Sequence, residues 1–286
     1  MARHERASAL AGGEELVEAI LGQKKNFVQD NAAIHMKRDA AREARLQDCE
    51  NVARELLAQL TGRARRALEE ALECPNGGDW LSHLPLEYLG LDMDRQTFRD
   101  AIALRMGRDL PDALPTCCPS CGEAGFDVPH ALKCKAGDWV RRRHDEVAKA
   151  WMRLFKRVSP TVVPEPHLAA PVNLQRRTTS KKVGARADIM ATGTQRPGQN
   201  TFYDVAVVDT GAASYLGKKA LTVLRDKEQR KTDKYEERAE MLGGTFVPLV
   251  CSVYGTLAPE SVRAMNKVVS ELDGDKPEKR STGFTL

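Results

Sequence analysis

A chain of 286 residues, 42% of them hydrophobic, is long enough for two compact units with real cores. Its formal net charge of +4 is too small to mark a nucleic-acid binder by bulk charge alone. No apolar run reaches the roughly 20 residues that a bilayer-spanning helix needs, and the opening MARHERASALAGGEE has no apolar signal core, so a soluble intracellular chain with reduced cysteines and no membrane partner is expected.

In chain order, residues 1–14 are small and polar and are expected to be disordered. From Glu15 to Glu73, Ala, Leu, Glu, Arg and Gln dominate, which predicts two or three helices. Pro75-Asn76-Gly77-Gly78 stops them, Trp80 to Leu91 reads as an apolar linker, and Thr97 to Met106 reads as a further helix with Phe98, Ile102 and Leu104 as its apolar contacts. This helical region closes near residue 110, and a cysteine-rich stretch follows over 115–138. From Trp139 to Val158, Val140, Val147, Trp151, Leu154 and Val158 recur at helical spacing. Thr161 to Val163, Ala187 to Ala191 and Phe202 to Val208 are short, apolar and β-branched, as strands are. The Gly, Pro and Asn of the loop from Gly193 to Asn200 predict an antiparallel connection. Lys218 to Leu242 reads as a long helix stopped by Gly243-Gly244, and Thr245 to Val253 as a last strand. Helix, three strands, helix, strand over 139–260 predicts an α/β fold, a mixed sheet with helices on its faces. Residues 261–286 read as a short helix and a flexible tail.

Four of the seven cysteines crowd between Cys117 and Cys134. Cys118 and Cys121 stand three apart, and His130 and Cys134 four apart, so each pair can grip two corners of a tetrahedral Zn²⁺ while Gly122 and Gly125 turn the loop between them. Cys117 is an equally placed first ligand, and a cluster of free thiols is the plainer alternative. With all four corners filled by protein, the zinc would be structural.

Asp188 opens one predicted strand and Asp204 lies inside another, Phe202 to Val208. A carboxylate in such a run is costly to bury without a partner. Alternation puts Asp204, Ala206 and Val208 on one face and Tyr203, Val205 and Val207 on the other. Two acids on adjacent strands can share Mg²⁺ or Mn²⁺, which neutralises a scissile phosphate and activates a water. The following helix adds a cation. With Leu224 as reference, at ~100° per residue, Leu242 falls on the same line and Tyr235 and Lys231 at about 20° to either side, whereas Lys234 lies about 80° away. An ammonium on the packing stripe needs an anion, so Lys231 rather than Lys234 is the candidate catalytic cation. The competing expectations are a turn-capping Asp188, an Asp204 paired with an arginine, and a Lys231 that reaches solvent along the core. Glu146 and Glu165 are further candidates to complete a metal shell or polarise water. Two basic runs, Arg141 to Arg143 and Arg176, Arg177, Lys181, Lys182 and Arg186, are either solvated faces or phosphate contacts.

The ordered motifs Arg143-His144-Asp145-Glu146, Glu165-Pro166, Ala187-Asp188, Tyr203-Asp204-Val205 and Lys231 with Tyr235, behind a Cys-Cys-His-Cys knuckle, resemble the restriction-like endonuclease region of site-specific non-LTR retrotransposons. Trp80 to Glu87, Phe98 to Ala101 and Gly244 to Val250 look like the same polyproteins, so the resemblance runs from about Arg63 to Gly255. It implies a helical segment of the kind that follows a reverse transcriptase (15–110), a CCHC zinc knuckle (115–138) and a PD-(D/E)xK endonuclease domain (139–260). It also implies Asp188 and Asp204 as ligands of Mg²⁺ or Mn²⁺, Lys231 as the catalytic lysine, DNA as substrate and the nucleus as place of action. Ala187 replaces the motif's proline and Ala206 its lysine, which the family moves to the following helix. No Tyr-x-Asp-Asp polymerase motif occurs, so a reverse transcriptase would act in trans, and the chain looks like a detached or truncated portion. The rival expectations are a non-catalytic zinc module that binds DNA or RNA, and an inactive retroelement remnant.

Overall fold

The computed structural model describes residues 38–74, 81, 92–168 and 185–272. The start predicted to be disordered (1–14), the predicted linker apart from Leu81, the tail predicted beyond 272 and the basic residues Arg176, Arg177, Lys181 and Lys182 lie outside them. By internal contacts the chain divides at residues 59 and 60. In the first unit residues 38–59 form one long helix, α1, as the Ala, Glu, Arg and Leu composition requires.

In the second unit the described helices are α2 (Gly62–Glu73), α3 (Arg95–Arg105), α4 (Val128–Lys133), α5 (Trp139–Phe155), α6 (Ala220–Glu240) and α7 (Pro259–Leu272). The strands are β1 (Val162–Pro164), β2 (His167–Leu168), β3 (Ala185–Arg186), β4 (Ile189–Thr192), β5 (Asn200–Val208) and β6 (Thr245–Ser252). The order helix, strands, helix, strand is present, with β2 and β3 added as a separate antiparallel pair. The larger sheet runs β1-β4-β5-β6. β1 and β5 flank β4 antiparallel, and β5 and β6 are parallel, joined by the α6 crossover. Pro248 pairs with Asp204 from the edge strand β6, where a missing N–H is tolerated.

Period-two alternation along β5 divides the core. Tyr203 and Val205 pack with Trp151 and Phe155 of α5 and with Ala264, Met265, Val268 and Val269 of α7. Phe202 packs with Tyr235 and Ala239, and Ala206 and Val208 with Val223 and Leu224, all of α6. The unit is therefore a mixed sheet between helices, with α5 and α7 on one face and α6 on the other. Helix α6 ends at Glu240, before Leu242, which is 46% exposed and plays no part in the packing stripe on which the sequence places it.

Helix α2 belongs physically to this sheet. Arg66 donates through Nε to the Thr210 carbonyl at 3.1 Å and through Nη2 to the carbonyls of Tyr215, at 2.5 Å, and Lys218. Arg63 clamps Asp209 with two bonds of 2.8 Å, and the fully buried Glu70 accepts hydrogen bonds from Thr210 and Ser252. One face of α2 thus holds the loop that leaves β5 and the end of β6.

Candidate functional site

The four donors of the cysteine-rich stretch converge. The relevant atoms of Cys118, Cys121, His130 and Cys134 all lie within 4.8 Å of one another. Cys118 Sγ is 3.8 Å from Cys134 Sγ, and Cys121 Sγ is 3.3 Å from His130 Nε2. Zn–S bonds of about 2.3 Å in a tetrahedron require an S···S edge of ~3.8 Å, so the cage has the right size for a metal ion such as zinc. Of the two adjacent cysteines it is Cys118 that turns inward, while Cys117 is exposed and pairs by its backbone with Ala124. The loop works as its composition predicts. Gly122 and Gly125 take φ of 75° and 74°, and the Asp127 side chain caps α4 at the His130 N–H at 2.7 Å. Burial opposes ionisation of Cys118, but the backbone N–H groups of Cys121 and Ser120, helped by the Cys121 and Cys134 thiols, outweigh it and bring the thiol down to about 6. Against its Glu123 backbone bond, Cys121 is pushed up by burial and by the bonds to Cys118 and Cys134. Glu123 Oε2 lies 3.3 Å from His130 Nδ1, the outer-shell contact that orients a ligating imidazole. Trp139 Nε1 donates to Ser120 Oγ at 2.8 Å and Arg143 donates to the Leu132 carbonyl at 3.2 Å, so α5 carries this segment.

On the sheet, Asp204 points from β5 toward α6 and meets the Lys231 ammonium. Lys231 keeps 20% of its side-chain surface exposed, and Asp204 5%. Burial pushes the Asp204 carboxyl above its ordinary value even against the Lys231 charge, and Asp188 adds to the rise, so the two carboxylates sense each other. For Tyr235, one turn beyond Lys231, burial followed by the Asp204 charge pushes the phenol up to about 12. Lys234 lies on the flank, its Nζ 4.4 Å over the Tyr235 ring and 2.7 Å from its oxygen.

Asp188 sits one residue before β4, where its backbone N–H donates to the Tyr203 carbonyl at 2.9 Å. Its Oδ2 accepts from the Val205 N–H at 2.6 Å and lies 3.1 Å from His144 Nε2. The carboxylate therefore sits beside β5, within reach of both the α5 face and the Asp204 backbone region. The bond to Asp188 holds the His144 imidazole up to about 9 against burial, so His144 is cationic at neutral pH.

Sequence reasoning missed His144 as a site residue, although a signal existed. His144, Val147 and Trp151 share the i, i+3, i+7 stripe of α5 that faces the sheet. Glu146 does not join the group. It lies off that stripe, exposed, and pairs with Lys149 at 2.8 Å. Glu165, 72% exposed, pairs with Arg186 at 3.1 Å, and only its backbone N–H reaches Asp188, at the carbonyl. Arg186 is the one described member of the second basic run, and this pairing offsets its charge.

The arrangement offers two carboxylates, one buried and one with Oδ1 making no hydrogen bond among the described residues, an ammonium and an imidazolium. Hard divalent cations take such oxygen donors, and the ammonium is placed to face an anion that the carboxylates attract through a metal. No family model matches the chain, and no curated protein matches it.

Proposed function

We propose that the chain is a divalent-metal-dependent DNA endonuclease with a PD-(D/E)xK core, of non-LTR retrotransposon origin, carrying a structural zinc knuckle. The observation that carries this reading is the meeting of Lys231 with Asp204, a carboxyl that the Asp188 charge also pushes up. Mg²⁺ or Mn²⁺ held by Asp188 and Asp204 would neutralise the scissile phosphate and lower the pKa of a bound water. His144 and the Val205 N–H hold Asp188 through Oδ2 and leave Oδ1 for the metal. Lys231 would supply positive charge where charge grows on the phosphate. The basic residues Arg176, Arg177, Lys181, Lys182 and Arg186 would hold the DNA backbone without reading sequence. In this reading the enzyme nicks target DNA in the nucleus, for use by a reverse transcriptase supplied in trans.

Plasmid nicking in Mg²⁺ or Mn²⁺ tests it. The native chain converts supercoiled plasmid to open circles, and Asp204→Ala and Lys231→Ala preparations do not. Equal nicking by the Asp204→Ala protein overturns the assignment. The second reading, a binding module without catalysis, is favoured by the outward placement of Glu146 and Glu165, which leaves only two carboxylates at the site. It requires salt-sensitive DNA or RNA binding with no cleavage under any divalent ion.

A further inference from the structure

A cavity of about 540 Å³ opens between α4 and the carboxyl end of β5. That volume lies within the range of sites for small ligands. Val207 and Val208 of β5 and Lys133 of α4 line it. Tyr215 and Leu216, in the loop after β5, also line it, and Leu216 is 41% exposed. Lys227, one turn of α6 before Lys231, is a further lining residue.

The loop wall is built rather than loose. Arg66 takes the carbonyls of Thr210, Tyr215 and Lys218, and Arg63 clamps Asp209. Gly211 packs so closely beneath Tyr254 that a Cβ there would lie 2.6 Å from the tyrosine oxygen. Arg63 and Asp209 neutralise each other, so the charge of the cavity comes from Lys133 and Lys227. Neither has a salt-bridge partner among the described residues. Burial, then Lys231, disfavours the charged form of Lys227; the Asp204 charge partly offsets this, and Arg230 and Lys234 add to it. An anion between Lys133 and Lys227 would relieve that repulsion.

We infer that this cavity binds one unpaired nucleotide of a polynucleotide strand, with its base against Tyr215 and Leu216 and its phosphates between Lys133 and Lys227. An apolar and aromatic wall under a cationic rim is the pairing that single-strand binding uses, because every base has a stacking face and every link a charge. The inference rests on the nuclease reading only for the direction of the strand, which would pass from Lys227 to Lys231 and Asp204.

Fluorescence anisotropy of a labelled oligodeoxythymidylate tests it, with the full zinc-loaded chain and no added magnesium. The Lys133→Ala/Lys227→Ala protein should bind at least about tenfold more weakly, and the slope of log affinity against log salt should fall by ~1.4, near 0.7 per lost contact. Leu216→Glu should weaken binding by about tenfold or more without altering the melting temperature. The charge-conserving Lys133→Arg/Lys227→Arg protein should bind like the native chain. Competition by oligouridylate tells RNA from DNA, and preference for either supports a single-strand site. Unchanged affinity in both the double-alanine and Leu216→Glu proteins, or equally good competition by a fully paired duplex, overturns the inference. Nicking is scored separately. Double-alanine and Leu216→Glu proteins that nick and bind normally sink the pocket and spare the nuclease. An inactive native chain whose binding still depends on Lys133, Lys227 and Leu216 does the reverse.

Discussion

The Cys/His cage and the carboxylate–lysine group differ in how they are assembled. The cage draws its donors from a single stretch, Cys118 to Cys134, and its geometry follows from two close pairs, two turning glycines and a capped short helix. The other group takes His144 from one face of a sheet, Lys231 from the opposite face, Asp204 from β5 between them and Asp188 from the residue that leads into β4. A local site can be made or lost with its own few residues. A dispersed site exists only when the whole sheet and both helical layers are in place, and four experiments press on that contrast.

The largest effect is expected from metal. Structural zinc in small knuckles is worth about 10 kcal/mol or more. Chelation or Cys134→Ser should unfold residues 115–138, seen as lost amide-exchange protection there, while protection in β4 to β6 persists. Simultaneous loss of both would show that the cage is not an independent unit. Next comes Asp204→Asn, which should reduce nicking by about a thousandfold, near 4 kcal/mol at the transition state. It should shift the unfolding midpoint little, because burial already opposes the Asp204 charge. A large loss of stability with retained nicking would make Asp204 a structural acid.

The third effect separates the two regions by their dependence on α2. Glu70→Ala strips a buried partner from Thr210 and Ser252 and should cost about 3 kcal/mol in denaturant unfolding. A chain beginning at Trp139, which lacks Arg63, Arg66 and Glu70, should unfold far more readily than one beginning at Leu60. Equal stability would show that α2 only leans on the sheet.

The smallest effect is pH-dependent. Glu228, buried on α6, accepts the Glu260 N–H at 2.8 Å at the start of α7, and burial pushes its carboxyl up to about 7. A carboxyl raised on folding binds its proton more tightly in the native state. Its contribution to stability is therefore present below its unfolded value of about 4.5 and is lost as pH rises from there to about 7. Glu228→Gln, which keeps the acceptor, should flatten that fall and leave the variant more stable above pH 7 by ~2 kcal/mol. Unchanged pH dependence of the unfolding midpoint would show that Glu228 is solvated.

The sequence by itself determined the features that depend on neighbours along the chain. Spacing and glycines specified the cage, period-two alternation placed Asp204 on the face opposite Tyr203 and Val205, and the 3.6-residue period put Lys231 rather than Lys234 on the inward stripe of α6. Only the tertiary structure decided between Cys117 and Cys118, since either satisfies the spacing and just one sulfur turns inward. It also brought His144 to Asp188, sent Glu146 to Lys149 and Glu165 to Arg186, and joined α2 to the sheet through Arg63, Arg66 and Glu70. The reason is physical. Periodicity records which side of its own element a side chain occupies, whereas the partner of a buried charge is set by which elements the packed core brings within hydrogen-bonding distance.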